Sequence, residues 1–144
     1  MNEPLARRFG EVVKRAFASG FRDITEPERV WVNTRALIDS VENGGVISYF
    51  YNSPADHLSD CMSALAVLEL PRIAAAVSRV AAWFPGGVPP TVDGRNEVMD
   101  SWPQDEAGDE RDARLAAIDH EIEALIPEAE ARLQAFLVAS GLAT

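Results

Sequence analysis

Apolar residues recur along this chain at intervals of three and four, the spacing that gathers a stripe on one side of a helix. Leu5, Phe9, Val12, Val13, Ala16 and Phe17 share a face and predict a helix over 4–19, with Pro4 in its first turn and Gly20 as its stop. Thr25 followed by Glu28 reads as a capping box for a helix over 26–42, with Pro27 in the first turn. Its buried stripe is Val30, Thr34, Leu37, Ile38 and Val41, and Gly44-Gly45 ends it. Residues 46–51, Val-Ile-Ser-Tyr-Phe-Tyr, are types that strands favour. Nothing else in the chain reads as a strand to pair with them, so a short buried helix is expected there.

A helix near 55–69 should bury Leu58, Cys61, Met62, Leu65 and Leu68. Pro71 opens another near 71–84, with Ile73, Val77, Val80, Ala81 and Phe84 inward. Residues 85–90, Pro-Gly-Gly-Val-Pro-Pro, must be loop. A short helix near 94–102 and an acidic loop over 103–110 follow. A helix near 111–125 presents Leu115, Ile118, Ile122 and Leu125; Pro127 then starts a last helix with Leu133, Phe136 and Leu137 inward and Gly141 past its end. Short helices on short connections must bury their stripes against one another. The expected fold is all-α: a compact bundle of about seven to eight short helices forming a single domain over 1–144.

Composition narrows the class. With 47% hydrophobic residues the chain can build a core. No apolar run approaches the roughly 20 residues that span a bilayer, so no membrane is expected as a partner. Met1-Asn2-Glu3-Pro4 lacks a basic-then-apolar leader pattern, and the single cysteine, Cys61, cannot form an internal disulfide. The cytoplasm is the default expectation.

Charge adds most. The net charge is −10, unfavourable for direct nucleic-acid binding, because phosphate contacts need Lys and Arg. From Asp93 to Glu130 there are thirteen acidic residues and three arginines, Arg95, Arg111 and Arg114; elsewhere ten acids balance ten bases. The whole excess sits in that block, which points to a surface with a field and not to solubility alone. The candidate partner-binding residues are Asp93, Glu97, Asp100, Asp105, Glu106, Asp109, Glu110, Asp112, Asp119, Glu123 and Glu130. Carboxylates three or four positions apart on a helix lie roughly 4.5–6 Å apart along its axis. One DNA strand places a phosphate about every 3.4 Å, so such an array can approximate a phosphate track.

Catalytic signatures are absent. There is no glycine-rich phosphate loop, no Gly-x-Ser-x-Gly and no His-Glu-x-x-His, and no enzyme is expected. His57, Asp60 and Cys61 stand at i, i+3 and i+4, but Cys61 falls on the apolar stripe of Leu58 and Leu65 and reads as buried. His120 lies opposite the Ile118 and Ile122 stripe and reads as a surface histidine beside Asp119 and Glu123. The 105–112 acids miss the spacing of a calcium loop. Trp31, Trp83 and Trp102 read as packing residues, since no basic residues cluster with them in sequence. No metal and no cofactor is expected.

One stretch, Asp39-Ser40-Val41-Glu42-Asn43-Gly44-Gly45-Val46-Ile47-Ser48-Tyr49-Phe50-Tyr51-Asn52-Ser53, carries a helix ending in Asn-Gly-Gly, an aromatic-rich turn, then Asn-Ser. This resembles the hallmark of a bacterial DNA-mimic protein family of small acidic helical domains. Ala64-Leu65, the run Trp83-Phe84-Pro85-Gly86-Gly87-Val88-Pro89 and Ile118-Asp119 are similar too, so the resemblance covers about 27–140. It implies an all-α fold. For the founding member it implies a homodimer whose acidic surface occupies a transcription factor's DNA-binding site. Asn43, Gly44, Gly45, Phe50 and Asn52 are expected to serve the fold, glycine where φ is positive and Asn43 bonding the turn. The expected function is an acidic protein-binding domain that mimics DNA toward a basic DNA-binding protein, a transcription factor or nucleoid protein. The alternatives are an immunity or antitoxin-like protein neutralising a basic toxin, and a helical interaction domain of other purpose.

Overall fold

A computed structural model describes residues 2–144 as helices joined by short turns, with no strand among the described residues. The α-helices are α1 (Glu3–Ser19), α2 (Glu26–Gly44), α3 (Val46–Phe50), α4 (Leu58–Val67), α5 (Pro71–Ala81), α6 (Val92–Asp100) and α7 (Glu106–Ala139); a 3-10 turn, Ser53–His57, leads into α4. The all-α bundle expected from periodicity is the observed architecture, and 46–50 is helical.

Helix α2 is the axis of the bundle, touched by α1, α3, α4 and α7. The Thr25 capping box forms, Thr25 Oγ1 accepting from Glu28 N and Glu28 Oε1 accepting from Thr25 N. The expected stripe of Val30, Thr34, Leu37, Ile38 and Val41 is buried, and so are Trp31, Val32 and Asn33. A helix with neighbours on several sides buries most of its circumference. Helix α1 packs mainly on α2, with Phe9 against Trp31 at 5.1 Å between ring centroids. Its expected stripe is only partly covered: Val12 and Ala16 are buried, while Phe17 is 45% exposed and meets Phe21 edge-on.

The C-terminal third departs from expectation. Residues 106–110 are not loop, and Pro127 starts no helix; both lie in α7, which runs unbroken from Glu106 to Ala139. At 1.5 Å per residue α7 is about 50 Å long. Asp105 caps it, its carboxylate accepting from Ala107 N at 3.0 Å. Pro127 removes one helix N–H, the one that the Glu123 carbonyl would accept, but Pro127 and Glu123 are both exposed, where water can serve that carbonyl. Ile118, Ile122, Leu125, Ala129, Leu133 and Leu137 stay in register across Pro127 and are all buried. Burying such a stripe is worth roughly 1.5–3 kcal/mol per large side chain, which outweighs the ~3 kcal/mol that an interior proline costs.

Candidate acidic interface

The hallmark residues turn out to be a hub on which the acid-bearing helices are hung. Gly45 sits at φ +82°, ψ 173°, a region essentially reserved for glycine. A Cβ there would also lie 2.5 Å from Asp119 Oδ2. The space is taken because Asp119, reaching in from α7, accepts from Val46 N at 2.7 Å and supplies the first turn of α3 with its missing partner. Gly44 is an ordinary helical residue, and Asn43 is exposed and makes no side-chain hydrogen bond among the described residues, so the expected turn bond from Asn43 is not formed. The bond comes instead from Asn52, whose amide donates to the Ser48 carbonyl at 2.6 Å. Phe50 is fully buried against Tyr49 and Phe84.

Arg95 of α6 is the second tie. It is 0% exposed. Its guanidinium donates to the carbonyls of Phe50 (2.9 Å), Pro89 (3.1 Å) and Asn52 (2.9 Å) and to the Asp56 carboxylate (2.7 Å). A planar fork of five N–H groups can satisfy several carbonyl oxygens at once, which an ammonium could not. Counted by sequence among the bases that offset the acidic block, Arg95 offsets nothing at its surface, because its charge is spent inside on Asp56.

The acids themselves divide. Asp93, Glu97 and Asp100 stand at i, i+4 and i+7 on α6 and are exposed, while Arg95 and Met99 face inward. Asp105, Glu106, Asp109 and Glu110 cluster around the start of α7, also exposed. None of these seven, nor Glu123, joins an ion pair among the described residues. The remaining three do not belong to a free face. Asp119 is committed to Val46, Glu130 pairs with Arg35 at 3.4 Å, and Asp112 pairs with Arg111 at 3.3 Å. Four residues separate Asp100 from Asp105, so the facing ends of the two groups lie at most about 17 Å apart along the chain.

Trp83 and Trp102 meet edge to face at 6.1 Å. Contrary to the sequence reading, basic residues do gather on them: Arg111 lies over the Trp102 ring at 5.4 Å, and Arg79 and Arg114 line a cleft with Trp83. Arg111 also donates to the Pro103 carbonyl at 2.9 Å, and Gly108 has no side chain because that carbonyl crosses where a Cβ would stand. The 101–105 corner is thereby clamped over the first turns of α7.

His57, Asp60 and Cys61 do not converge on a common point. His57 stacks on Phe21 at 3.8 Å, whereas Cys61 is fully buried. Burial pushes the Cys61 thiol up to about 12, against the Tyr49 hydrogen bond that lowers it, so at neutral pH it stays protonated. A cleft of about 740 Å³ lies between α4 and the 88–90 loop and is walled mainly by Leu58, Met62, Val88 and Pro89. No helix among the described residues is long and apolar enough to cross a membrane.

The family model described as DMP19-like protein matches residues 22–140, every helix except α1. No curated protein and no solved structure matches the chain.

Proposed function

The chain belongs to the family of DMP19-like proteins, and from that premise we propose that it is a non-catalytic binding domain whose acidic face occupies the DNA-binding surface of a basic transcription factor or nucleoid protein. The observation that carries the reading is the set of seven exposed carboxylates on α6 and the α7 start that join no ion pair among the described residues. Unpaired like charges held close together raise a field that attracts a basic groove and accelerates encounter with it. Along α6 the carboxylates follow one another at about 4.5–6 Å, within reach of side chains spaced to grip phosphates. The two ties, Arg95 and Asp119, hold both acidic elements on the α3 hub, so the array is fixed before the partner arrives. The homodimer that the resemblance implies forms part of the proposal, and sedimentation of the full chain tests that part separately.

The test is a gel-shift competition. Basic DNA-binding proteins are retained from the host at low salt, eluted by salt and identified, and each is then offered labelled DNA and this chain together. The native chain is expected to displace DNA, and the combined Glu97→Gln, Asp100→Asn, Asp109→Asn and Glu110→Gln variant to lose displacement by tenfold or more, about 1.4 kcal/mol. Equal competition by native chain and variant against every retained protein would end the proposal. Retention of a nuclease whose cleavage the chain inhibits would move it to the toxin-neutralising alternative.

A further inference from the structure

Set into the acidic third of the chain is a feature of opposite character. Two adjoining clefts, about 370 and 350 Å³, share Trp83 and Arg114. The first runs between Trp102-Pro103 and Ala107, the second between Ala82 and Ala117-Ile118. Three arginines reach them, and two are engaged: Arg79 pairs with Glu121 at 2.5 Å, and Arg111 is spent on Pro103, Asp112 and the Trp102 ring. Arg114, at the junction, is exposed and makes no hydrogen bond or ion pair among the described residues, although carboxylates abound nearby. An unengaged guanidinium between two indole-walled apolar clefts suits a ligand with an apolar group on one side and a single carboxylate on the other.

We propose that this trough docks an extended peptide segment of a protein partner that presents an aromatic or aliphatic side chain next to an Asp or Glu. Length favours a peptide over a small molecule. From Ala107 to Ile118 the trough follows α7 for about 16 Å, the span of roughly five extended residues. Charge disfavours a nucleotide, because Glu110, which lines the first cleft with Arg111 and Arg114, repels a phosphate dianion more than a lone carboxylate. The trough thus supplies what the acidic face lacks, a desolvated aromatic anchor of the kind that dominates binding energy at interfaces.

The probes are the blocked tripeptide acetyl-Pro-Phe-Glu-amide and its Gln counterpart, followed through the indole N–H signals of Trp83 and Trp102 in ¹⁵N-labelled full chain. The Glu peptide is expected to move both signals and to bind about tenfold more tightly than the Gln peptide, as one charged hydrogen bond implies. Arg114→Gln, which removes a side chain without structural partners, is expected to erase that preference while leaving the fold intact. The proposal is overturned if neither peptide moves the signals, if the two bind alike, or if the preference survives in Arg114→Gln. It is equally overturned if 3-phenylpropionate or AMP binds as tightly as the Glu peptide. No basic partner enters this experiment, so it stands or fails apart from the competition assay.

Discussion

Arg95 shows how much one residue carries here. Its guanidinium satisfies three carbonyls and one carboxylate from segments 39–45 residues upstream and from the 85–90 loop. Removing it strands those carbonyls, at about 1–3 kcal/mol for each buried acceptor left without a donor, whereas Asp56 is itself exposed and can turn to water. Arg95→Ala is therefore expected to lower the unfolding free energy obtained from urea melts by about 3 kcal/mol, and Arg95→Lys to recover little of it, since a point charge cannot serve four directions. An unfolding free energy within about 1 kcal/mol of native would show that the hub does not depend on this tie. Nothing in the sequence marked Arg95, because every one of its contacts is tertiary and its neighbours Asp93 and Glu97 read as a solvated acidic run. Gly45 was legible as a special backbone position, but its reason, an Asp119 carboxylate arriving from 74 residues downstream, was not. Asp119 was assigned to the partner face by composition, and geometry withdraws it from there.

Among the elements, helix stripes were readable and helix ends less so, for a physical reason. Periodicity reports which residues must be covered, whereas termination depends on competition between a local breaker and the packing beyond it. At Gly20 the breaker prevails and α1 stops; at Pro127 the continuous buried stripe of α7 prevails. Pro127→Ala should restore the missing hydrogen bond to the Glu123 carbonyl and stabilise the chain by about 1–3 kcal/mol in urea melts. Destabilisation instead would mean that α7 gains more from the fixed φ of proline than it loses with the hydrogen bond. The cap of α2 predicts a pH effect. Burial alone would push Glu28 up, but the Arg15 hydrogen bond and the Thr25 N–H together outweigh it and hold the carboxyl below its ordinary 4.5. A carboxyl depressed in the folded state stabilises fully above its unfolded pKa and loses that contribution as pH falls through the folded value. Stability should therefore fall on acidification below about pH 4.5, and Glu28→Gln should be less stable at neutrality with a shallower acid limb. Identical acid limbs in the two proteins would remove Glu28 from the account. Helix α6 ends on Asp100 with no basic residue in its last turn, so a carboxylate faces the negative end of the helix dipole. Asp100→Asn should raise stability by about 0.3–1 kcal/mol at low ionic strength, an effect to be measured by thermal melts in dilute buffer.

At the scale of the whole molecule, the two properties of the acidic face pull against each other. The chain carries −10, with the excess confined to α6, the corner after it and α7. Seven of those carboxylates join no ion pair among the described residues, while Arg95 is turned into the hub, Arg111 lies over Trp102, and only Arg114 of the arginines in that stretch stands exposed and unengaged among the described residues. Like charges held together by folding are farther apart in the unfolded chain, so they oppose the fold. Salt shortens the Debye length from about 30 Å at 0.01 M to about 8 Å at 0.15 M and relieves that repulsion. The same screening weakens attraction to a basic partner, whose charges meet the carboxylates across the same solvent. Raising salt over this interval should therefore lift the melting temperature of the free chain while lowering its ability to displace DNA from a basic protein. A surface that served solubility alone would show the first response without the second. One neutralised by hidden pairing would show neither, since paired charges leave little field to screen. Opposite slopes, both flattened in the Glu97→Gln, Asp100→Asn, Asp109→Asn and Glu110→Gln variant, would tie the instability and the binding to the same carboxylates. Parallel slopes, or slopes that the variant leaves unchanged, would place the binding elsewhere on the molecule.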